Sequence, residues 1–167
     1  VGPSSTVTFP NFVATSLGLS NVVGSIDVYT TVGFEAPILN ARIYDDPGSG
    51  GTKGFSLDAL KLQEAIQPFE VAVLFTPVSS SYRMNIGIRT LQASSIRFIH
   101  LNSVGLARAV VTRNYPAEYF IQDSASIITG VPPQPGDQIL VVSPDNKAFF
   151  VYGSIIDNGN NDPSVQV

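Results

Sequence analysis

The sequence predicts an all-β domain, an antiparallel β-sandwich with one or two short helices. Short runs alternate apolar and polar residues, which is typical of half-buried strands. Between the runs the chain places many of its 14 Gly and 12 Pro, which supply the backbone angles of tight turns. Helices do not alternate regularly with the strands, which disfavours a parallel α/β sheet. At 167 residues, the chain is long enough to bury a core without disulfides or metals.

Two regions are predicted along the chain. Residues 1–20 are rich in Ser, Thr and Pro, with a brief alternation around Val7 and Phe9, and they predict an extended N-terminal arm. Residues 21–167 are predicted to form a single sandwich domain. Its strands are predicted at Val22–Val32, Pro37–Tyr44, Val71–Phe75, Tyr82–Leu91, Ser95–Leu101, Leu106–Arg113, Glu118–Gln122, Gln138–Val142 and Ala148–Ile156.

Helices and turns are predicted from capping and breaking residues. Ser56–Gln67 predicts a helix, because Ser56 can cap its start and Pro68 ends it. Asp123–Gly130 predicts a turn or a short helix. The segment Ser143–Lys147 predicts a tight turn that joins the last two strands as a hairpin, and Asp45–Gly51 predicts a turn rich in Asp and Gly.

Three segments carry a family resemblance. They are Ser-Tyr-Arg-Met-Asn-Ile-Gly-Ile at 81–88, Val-Tyr-Gly-Ser-Ile-Ile-Asp-Asn-Gly-Asn-Asn-Asp-Pro at 151–163, and the stretch from Ala41 to Phe55. Together they make residues 40–167 resemble a recurrent immunoglobulin-like β-sandwich module of exported bacterial proteins. The patterns of that module read approximately Y/F-R-T-N-L-G and Y-A-S-V-x-D-N-x-T/S-G-D-P. Met84 and the pair Asn160-Asn161 depart from them.

The resemblance implies an extracellular, non-enzymatic module of a bacterial protein that is secreted or held at the cell surface. It implies an immunoglobulin-like order of strands. A jelly-roll-like order and a closed barrel stay open as alternatives, because strand pairing is not readable from one sequence.

Charge and composition exclude several classes of partner. The net charge is −4, the pI is about 4.7 and only nine Lys or Arg are present, so no basic face for nucleic acid is expected. No apolar run approaches the roughly 20 residues that span a bilayer. The absence of Cys excludes thiol catalysis and thiolate metal sites.

Catalytic signals are weak, and the sequence predicts that the chain is not an enzyme. His100 is the only histidine, and its place in an alternating run predicts a surface or rim position. There is no Gly-x-Ser-x-Gly elbow to present a nucleophile. The neighbouring carboxylates Asp45 and Asp46 fit solvated turn caps better than an acid/base pair.

A calcium site is the one metal candidate, and no other cofactor is expected. Its ligands would be Asp157, Asn158, Asn160 and Asp162, which gather hard oxygen atoms around Gly159. The segment lacks the spacing and the final Glu of an EF-hand. A plain turn rich in Asp and Asn, between two strands, is therefore the favoured interpretation and calcium is the alternative.

Scarce charge favours association over solitary function. Charged residues make up 13% of the chain, and Lys, which protects exposed strand edges in monomeric β-proteins, occurs only at Lys53, Lys61 and Lys147. The sequence therefore predicts a structural or adhesive surface module that self-associates, as in a filament, or binds another surface protein. The arm would pair with an edge strand of a neighbour through Val7 and Phe9. The alternative is a carbohydrate- or other ligand-binding sandwich, marked by a concave aromatic platform.

Overall fold

The computed structural model describes residues 4–31, 33, 37–45 and 53–167. These residues form an all-β sandwich, as predicted. The strands in the described part are β1 (Asn40–Asp45), β2 (Lys53–Asp58), β3 (Ala72–Phe75), β4 (Tyr82–Thr90), β5 (Ser94–Leu101), β6 (Ala107–Tyr115), β7 (Tyr119–Ser124), β8 (Gln138–Val142), β9 (Phe149–Asp157) and β10 (Pro163–Gln166). The short helices are α1 (Phe12–Thr15) and α2 (Ala125–Thr129), with a 3₁₀ turn at Leu62–Glu64.

Two four-stranded antiparallel sheets carry the core. One has the order β10-β9-β4-β7 and the other the order β3-β8-β5-β6, while β1 and β2 form a separate hairpin. Because side chains alternate across a strand, every second residue of each sheet points into the shared interior. The buried apolar residues are Leu74, Met84, Ile86, Ile88, Ile96, Phe98, Ala125, Ile128, Ile139, Val141, Phe149 and Val151.

Five connections between β3 and β9 cross from one sheet to the other. Two of them form a pair of arches, and one of these arches corrects the predicted hairpin at Ser143–Lys147. Strands β8 and β9 lie in different sheets, so the turn between them crosses the sandwich instead of folding one strand back on the other. Asp145 holds this turn against the start of β5, where its Oδ2 accepts a 2.9 Å hydrogen bond from the Ser95 amide. The connection from β3 to β4 crosses in the same way, and the two arches pair with each other in both sheets.

An edge contact also ties the two sheets together. The Gln166 side chain on β10 accepts a hydrogen bond from the Phe75 amide (2.9 Å) and donates one to the Phe75 carbonyl (2.6 Å). Phe75 belongs to the edge strand β3 of the opposite sheet. The side-chain amide therefore imitates a strand neighbour and satisfies backbone groups that an edge leaves open.

The predicted helix at Ser56–Gln67 is wrong. Its first residues belong to β2, where Leu57 pairs with Ala41, and only Leu62–Glu64 forms a 3₁₀ turn. Leu62 is 68% exposed, so no apolar stripe is buried that would stabilise a longer helix. Ile66 instead exchanges two backbone hydrogen bonds with Phe149, which draws the chain into a bridge at the sheet edge.

The predicted strand at Val22–Val32 is also wrong over residues 22–31, which form no strand, and Val32 lies outside the described residues. Within residues 4–20 the chain makes the single helical turn α1 and buries no side chain fully. The boundary of the predicted arm stays a prediction. Of the predicted turn at 45–51, residue 45 ends β1, and the rest lies outside the described residues.

The short helix predicted near Asp123–Gly130 is confirmed as α2. The Ser124 side chain caps its start by accepting a hydrogen bond from the Ile127 amide, and Gly130 ends it with a φ of 79°. A positive φ at the end of a helix favours glycine.

Candidate protein interaction surface

The outer surface of the β3-β8-β5-β6 sheet is apolar. Its outward side chains come into line because Leu140 pairs with Val73 on one side and with Ile99 on the other, and Ile99 pairs with Val110. Phe75 and Val142 extend the row by the two-residue repeat of their strands. We call this surface the apolar face: Val73, Phe75, Ile99, Val110, Leu140 and Val142.

Exposure distinguishes the apolar face from the core. Val73, Phe75 and Val110 are 42%, 58% and 59% exposed, whereas their inward neighbours Leu74 and Phe98 are 3% and 1% exposed. A contiguous exposed apolar patch on a soluble protein marks a contact surface. Arg97 is a charged residue on the same side, and its Nε donates to the Thr112 hydroxyl at the rim (3.4 Å).

Strand β6 bounds the apolar face and pairs only with β5 in the described part of the chain. It is nine residues long, from Ala107 to Tyr115, and contains neither Lys nor Pro. Its two charged side chains, Arg108 and Arg113, are engaged within the chain by Asp137 and by the Ile127 carbonyl, and a long edge strand without Lys or Pro can pair with further strands.

The opposite sheet turns an aromatic cluster outward. A ring of Tyr152 lies directly over Gly87, its cross-strand partner, and stacks on Phe120 with centroids 6.4 Å apart. The Tyr152 hydroxyl donates to Gln122, and burial raises the pKa of this phenol. These rings pack on one another and on the backbone, which is ordinary cross-strand packing. They therefore give little support to the ligand-binding alternative.

Arg89 is a buried cation beside that cluster. It is 9% exposed, on the outward side of the central strand β4, where Phe120 and Phe150 flank it across the sheet. Its Nη1 donates to the Thr90 carbonyl (2.7 Å), and its Nη2 forms an ion pair with Asp27. Arg89 Nε is buried and lacks a hydrogen-bond partner. Asp27 therefore supplies the compensating charge that a buried guanidinium requires.

His100 is fully buried, so the rim position predicted from the sequence is wrong. It shares the inward side of β5 with Ile96 and Phe98. Its Nε2 lies 2.8 Å from Asp137 Oδ2, and its Nδ1 lies 3.2 Å from the Thr129 hydroxyl. The carboxylate of Asp137 also accepts from Arg108 and from the Gln134 amide.

This network resembles a nucleophile, base and acid in series, but its geometry does not serve that chemistry. Thr129 and His100 are 1% and 0% exposed, so no substrate reaches the hydroxyl oxygen. That hydroxyl also lies 2.8 Å from the Ala125 carbonyl, the ordinary partner of a threonine within a helix. The arrangement stabilises α2 and the loop before β8 against β5.

Hydrogen bonds stabilise the negative charge of Asp137 in this network. Burial alone would raise the pKa of Asp137, but the hydrogen bonds from the Gln134 amide, Arg108 and His100, with the charge of Arg108, outweigh it and lower the pKa. An ionised carboxylate only accepts hydrogen bonds, so His100 Nε2 carries the proton that it shares with Asp137.

The predicted calcium ligands lie together in the turn between β9 and β10. Asp157 Oδ1 accepts from the Gly159 amide (2.7 Å), and Asn160 Oδ1 accepts from the Asp162 amide (2.7 Å). Asn158 Oδ1 accepts from the Arg83 guanidinium (2.9 Å).

Several of the oxygen atoms that would bind calcium thus accept hydrogen bonds from the chain itself. Arg83 also donates to Asn161 (3.1 Å), so this turn already contacts a cation. Within the described residues no group of three or more His, Asp or Glu side chains is placed to hold a metal. The calcium candidate stays a prediction.

Several residues of these sites were missed in the sequence, and their signals differ. The alternation Ile96, Phe98, His100 indicates a buried histidine, but the opposite side of β5 is equally apolar at Ile99 and hides the signal. Asp137 follows Pro135 and Gly136 in a turn, where a capping role is the usual interpretation. The pairing of Asp27 with Arg89 leaves no sequence signal, because 62 positions separate them.

Comparison with known proteins gives no relative: no family model, curated protein or solved structure matches the chain. No described helix has both the length and the apolar character needed to cross a membrane. The all-β sandwich therefore rests on the structure, and the resemblance to exported bacterial modules stays a prediction.

Proposed function

We propose that the chain is a non-enzymatic structural module that self-associates through its apolar face. The observation that carries the proposal is a sheet whose outer side is apolar in each of its four strands and exposed at Val73, Phe75 and Val110. A second copy of the same surface is the occupant that fits it best, since a two-fold interface is self-complementary.

Charge supports this choice of partner. Arg97 adds one cation to a face of otherwise uncharged residues, and charged residues are depleted at the cores of protein interfaces. Burying such a face against its copy removes apolar side chains from water without stranding many charges. We further propose a secreted or cell-surface location, in line with the resemblance of residues 40–167 to exported modules.

The test is the particle mass in solution for the native chain and for Val110→Lys. Light scattering across a wide range of concentrations should show a mass above the 17.8 kDa of one chain. A lysine within the interface should weaken association at least tenfold, because its charge loses water on burial.

Ile127→Lys is the matched control. Ile127 is 60% exposed, but it lies on α2 and not on the apolar face, so this variant should associate like the native chain. Circular dichroism should show that both variants stay folded. A native chain that is monomeric at every concentration contradicts the proposal, as does equal association of the two variants.

A further inference from the structure

We propose that Arg89 is a receptor for Asp27 of a second copy, so that neighbouring chains exchange their N-terminal segments. This inference rests on the proposed self-association and adds the contact that would link one copy to the next. We call residues 21–31 the exchange segment.

The receptor is built into the sandwich. Arg89 lies on the central strand β4, 9% exposed, between Phe120 and Phe150 on its two neighbouring strands. A cation in such a place needs a carboxylate, because desolvation without one is costly. Asp27 supplies that carboxylate at Nη2, while the buried Nε keeps no hydrogen-bond partner.

The exchange segment leaves its side chains exposed on its own chain. It alternates apolar and polar residues as a strand does, yet it pairs with no strand. Val22, Val23, Ile26 and Val28 are 52%, 72%, 55% and 55% exposed. Ordering these residues costs conformational entropy, and the ion pair of Asp27 with Arg89 offsets part of this cost.

Exchange keeps the ion pair and adds contacts between chains. The same ion pair forms whether Asp27 belongs to the same chain or to its neighbour, so the receptor is equally satisfied in both arrangements. Exchange also brings the bodies of two copies together around the segment, where the exposed apolar side chains on either side of Asp27 can pack between them. Exchange of an identical element between protomers is a low-cost route to assembly, and a segment exchanged in one direction links chains head to tail.

Cross-linking tests the exchange directly, because the chain contains no Cys. Ser25→Cys places one thiol beside Asp27, and Gln122→Cys places another on the receptor face beside Phe120, with Asp27 and Arg89 unchanged. The two single variants, one carrying an affinity tag, are mixed, unfolded, refolded together and treated with a flexible bis-maleimide. We expect a covalent dimer of one tagged and one untagged chain.

Asp27→Asn in the Ser25→Cys chain should lower the yield of that dimer at least tenfold. Asp58→Asn is the matched control: Asp58 is an exposed carboxylate in the β1–β2 hairpin, and its loss should leave the yield unchanged. A second arm uses charge exchange, in which Asp27→Arg and Arg89→Glu chains form the mixed dimer and neither forms it alone. If the Arg89→Glu chain does not fold, the cysteine cross-linking experiment still tests the exchange, because it leaves Arg89 unchanged.

The outcomes separate this inference from the proposed function. An intrachain cross-link in the Ser25→Cys/Gln122→Cys double variant, with no dimer in the mixture, overturns exchange. If association is still lost in Val110→Lys, the proposed self-association through the apolar face is supported even though exchange is not. A native chain that is monomeric at all concentrations and gives no mixed dimer overturns both.

Discussion

Asp137 connects four parts of the structure. One of its oxygens accepts hydrogen bonds from His100, Arg108 and the Gln134 amide, and its backbone carbonyl accepts from the Thr76 amide (3.1 Å). These donors come from β5, β6, the loop before β8 and the end of β3. Loss of the charge would leave buried donors unpaired at a cost of about 1–3 kcal/mol for each.

The pH dependence of stability follows from this carboxylate and from Asp145. Burial alone would raise the pKa of Asp145, but hydrogen bonds from Ser143, the Ser95 amide and Ser94 outweigh it and lower the pKa. Both folded-state pKa values lie below the ordinary 3.8. The stability they contribute is therefore complete above the unfolded pKa, and it is lost as pH falls below about 4 and through the folded values.

We expect Asp137→Asn to flatten that dependence. The variant should unfold more easily than the native chain at neutral pH, and the difference in free energy of unfolding should shrink as pH falls below about 4. Urea unfolding at a series of pH values measures both quantities. Glu118→Gln, at an exposed carboxylate, should keep the native dependence, and a constant gap between Asp137→Asn and the native chain would contradict this role.

At the scale of elements, strand β4 depends on one missing side chain. A Cβ at Gly87 would lie 2.1 Å from Cε1 of Tyr152, so glycine is required for the ring to lie flat on the sheet. The ring is stacked on Phe120 and its hydroxyl is bound by Gln122, which leaves it little room to move.

We expect Gly87→Ala to destabilise the fold by about 1–3 kcal/mol, as overpacking does in other sheets and cores. Gly24→Ala is the matched control, because no atom lies within 4 Å of a Cβ built there. Denaturant unfolding measures both. In a Tyr152→Ala background, which lacks the ring, Gly87→Ala should change the free energy of unfolding very little. If the effects of the two substitutions instead simply add, the strain does not arise between residue 87 and the Tyr152 ring.

The turn between β9 and β10 has two interpretations, a plain turn rich in Asp and Asn and a calcium site. Its hydrogen bonds are those of a turn rich in Asp and Asn, and Arg83 contacts it through Asn158 and Asn161. We expect millimolar calcium to leave the melting temperature unchanged, because a bound cation would have to displace these donors. A melting temperature that rises with calcium would instead establish the calcium site, provided that the free energy of unfolding increases as RT ln(1 + [L]/Kd) and the rise disappears in Asp157→Asn.

Strands were predictable where alternation is strong, and their partners were not. From β3 to β9 the predicted and observed bounds agree within a few residues, because most of these strands turn one side inward and shield it from solvent more than the other. Ser56–Gln67 failed because helix capping residues also occur in turns, and only the pairing of Leu57 with Ala41 shows the strand. The arch at Ser143–Lys147 failed because a tight turn has the same composition whether it joins paired strands or crosses a sandwich.

At the scale of the whole molecule, apolar residues are divided between a dense core and surfaces left exposed. Ile86, Ile88, Ile96 and Phe98 are at most 1% exposed, while Phe9, Phe69 and Val78 are 59%, 86% and 84% exposed. The core explains why the sandwich folds. Scarce charge in the sequence predicted association, but which face is apolar depends on strand order and was not predictable.

We expect a chain that begins at Asn21 to keep the sandwich. Residues 4–20 contain no strand and no fully buried side chain, so the melting temperature should change by less than about 2 °C. Removal of residues 163–167 is the contrast, since it takes away β10 and the Gln166 contact with Phe75. That shortened chain should melt more than about 4 °C lower, and equal melting of all three chains would contradict this division.

The paired arches also set the order in which the protein can form. Ile88 must find Val151, and Phe98 must find Val141, so each central strand waits for a partner made much later in synthesis. Such distant pairings slow folding, because the chain loses the entropy of closing a long loop before the new contacts stabilise it. A nascent chain would hold β4 and β5 with bare edges until β8 and β9 emerge, which makes early pairing with another chain the main competitor of correct folding.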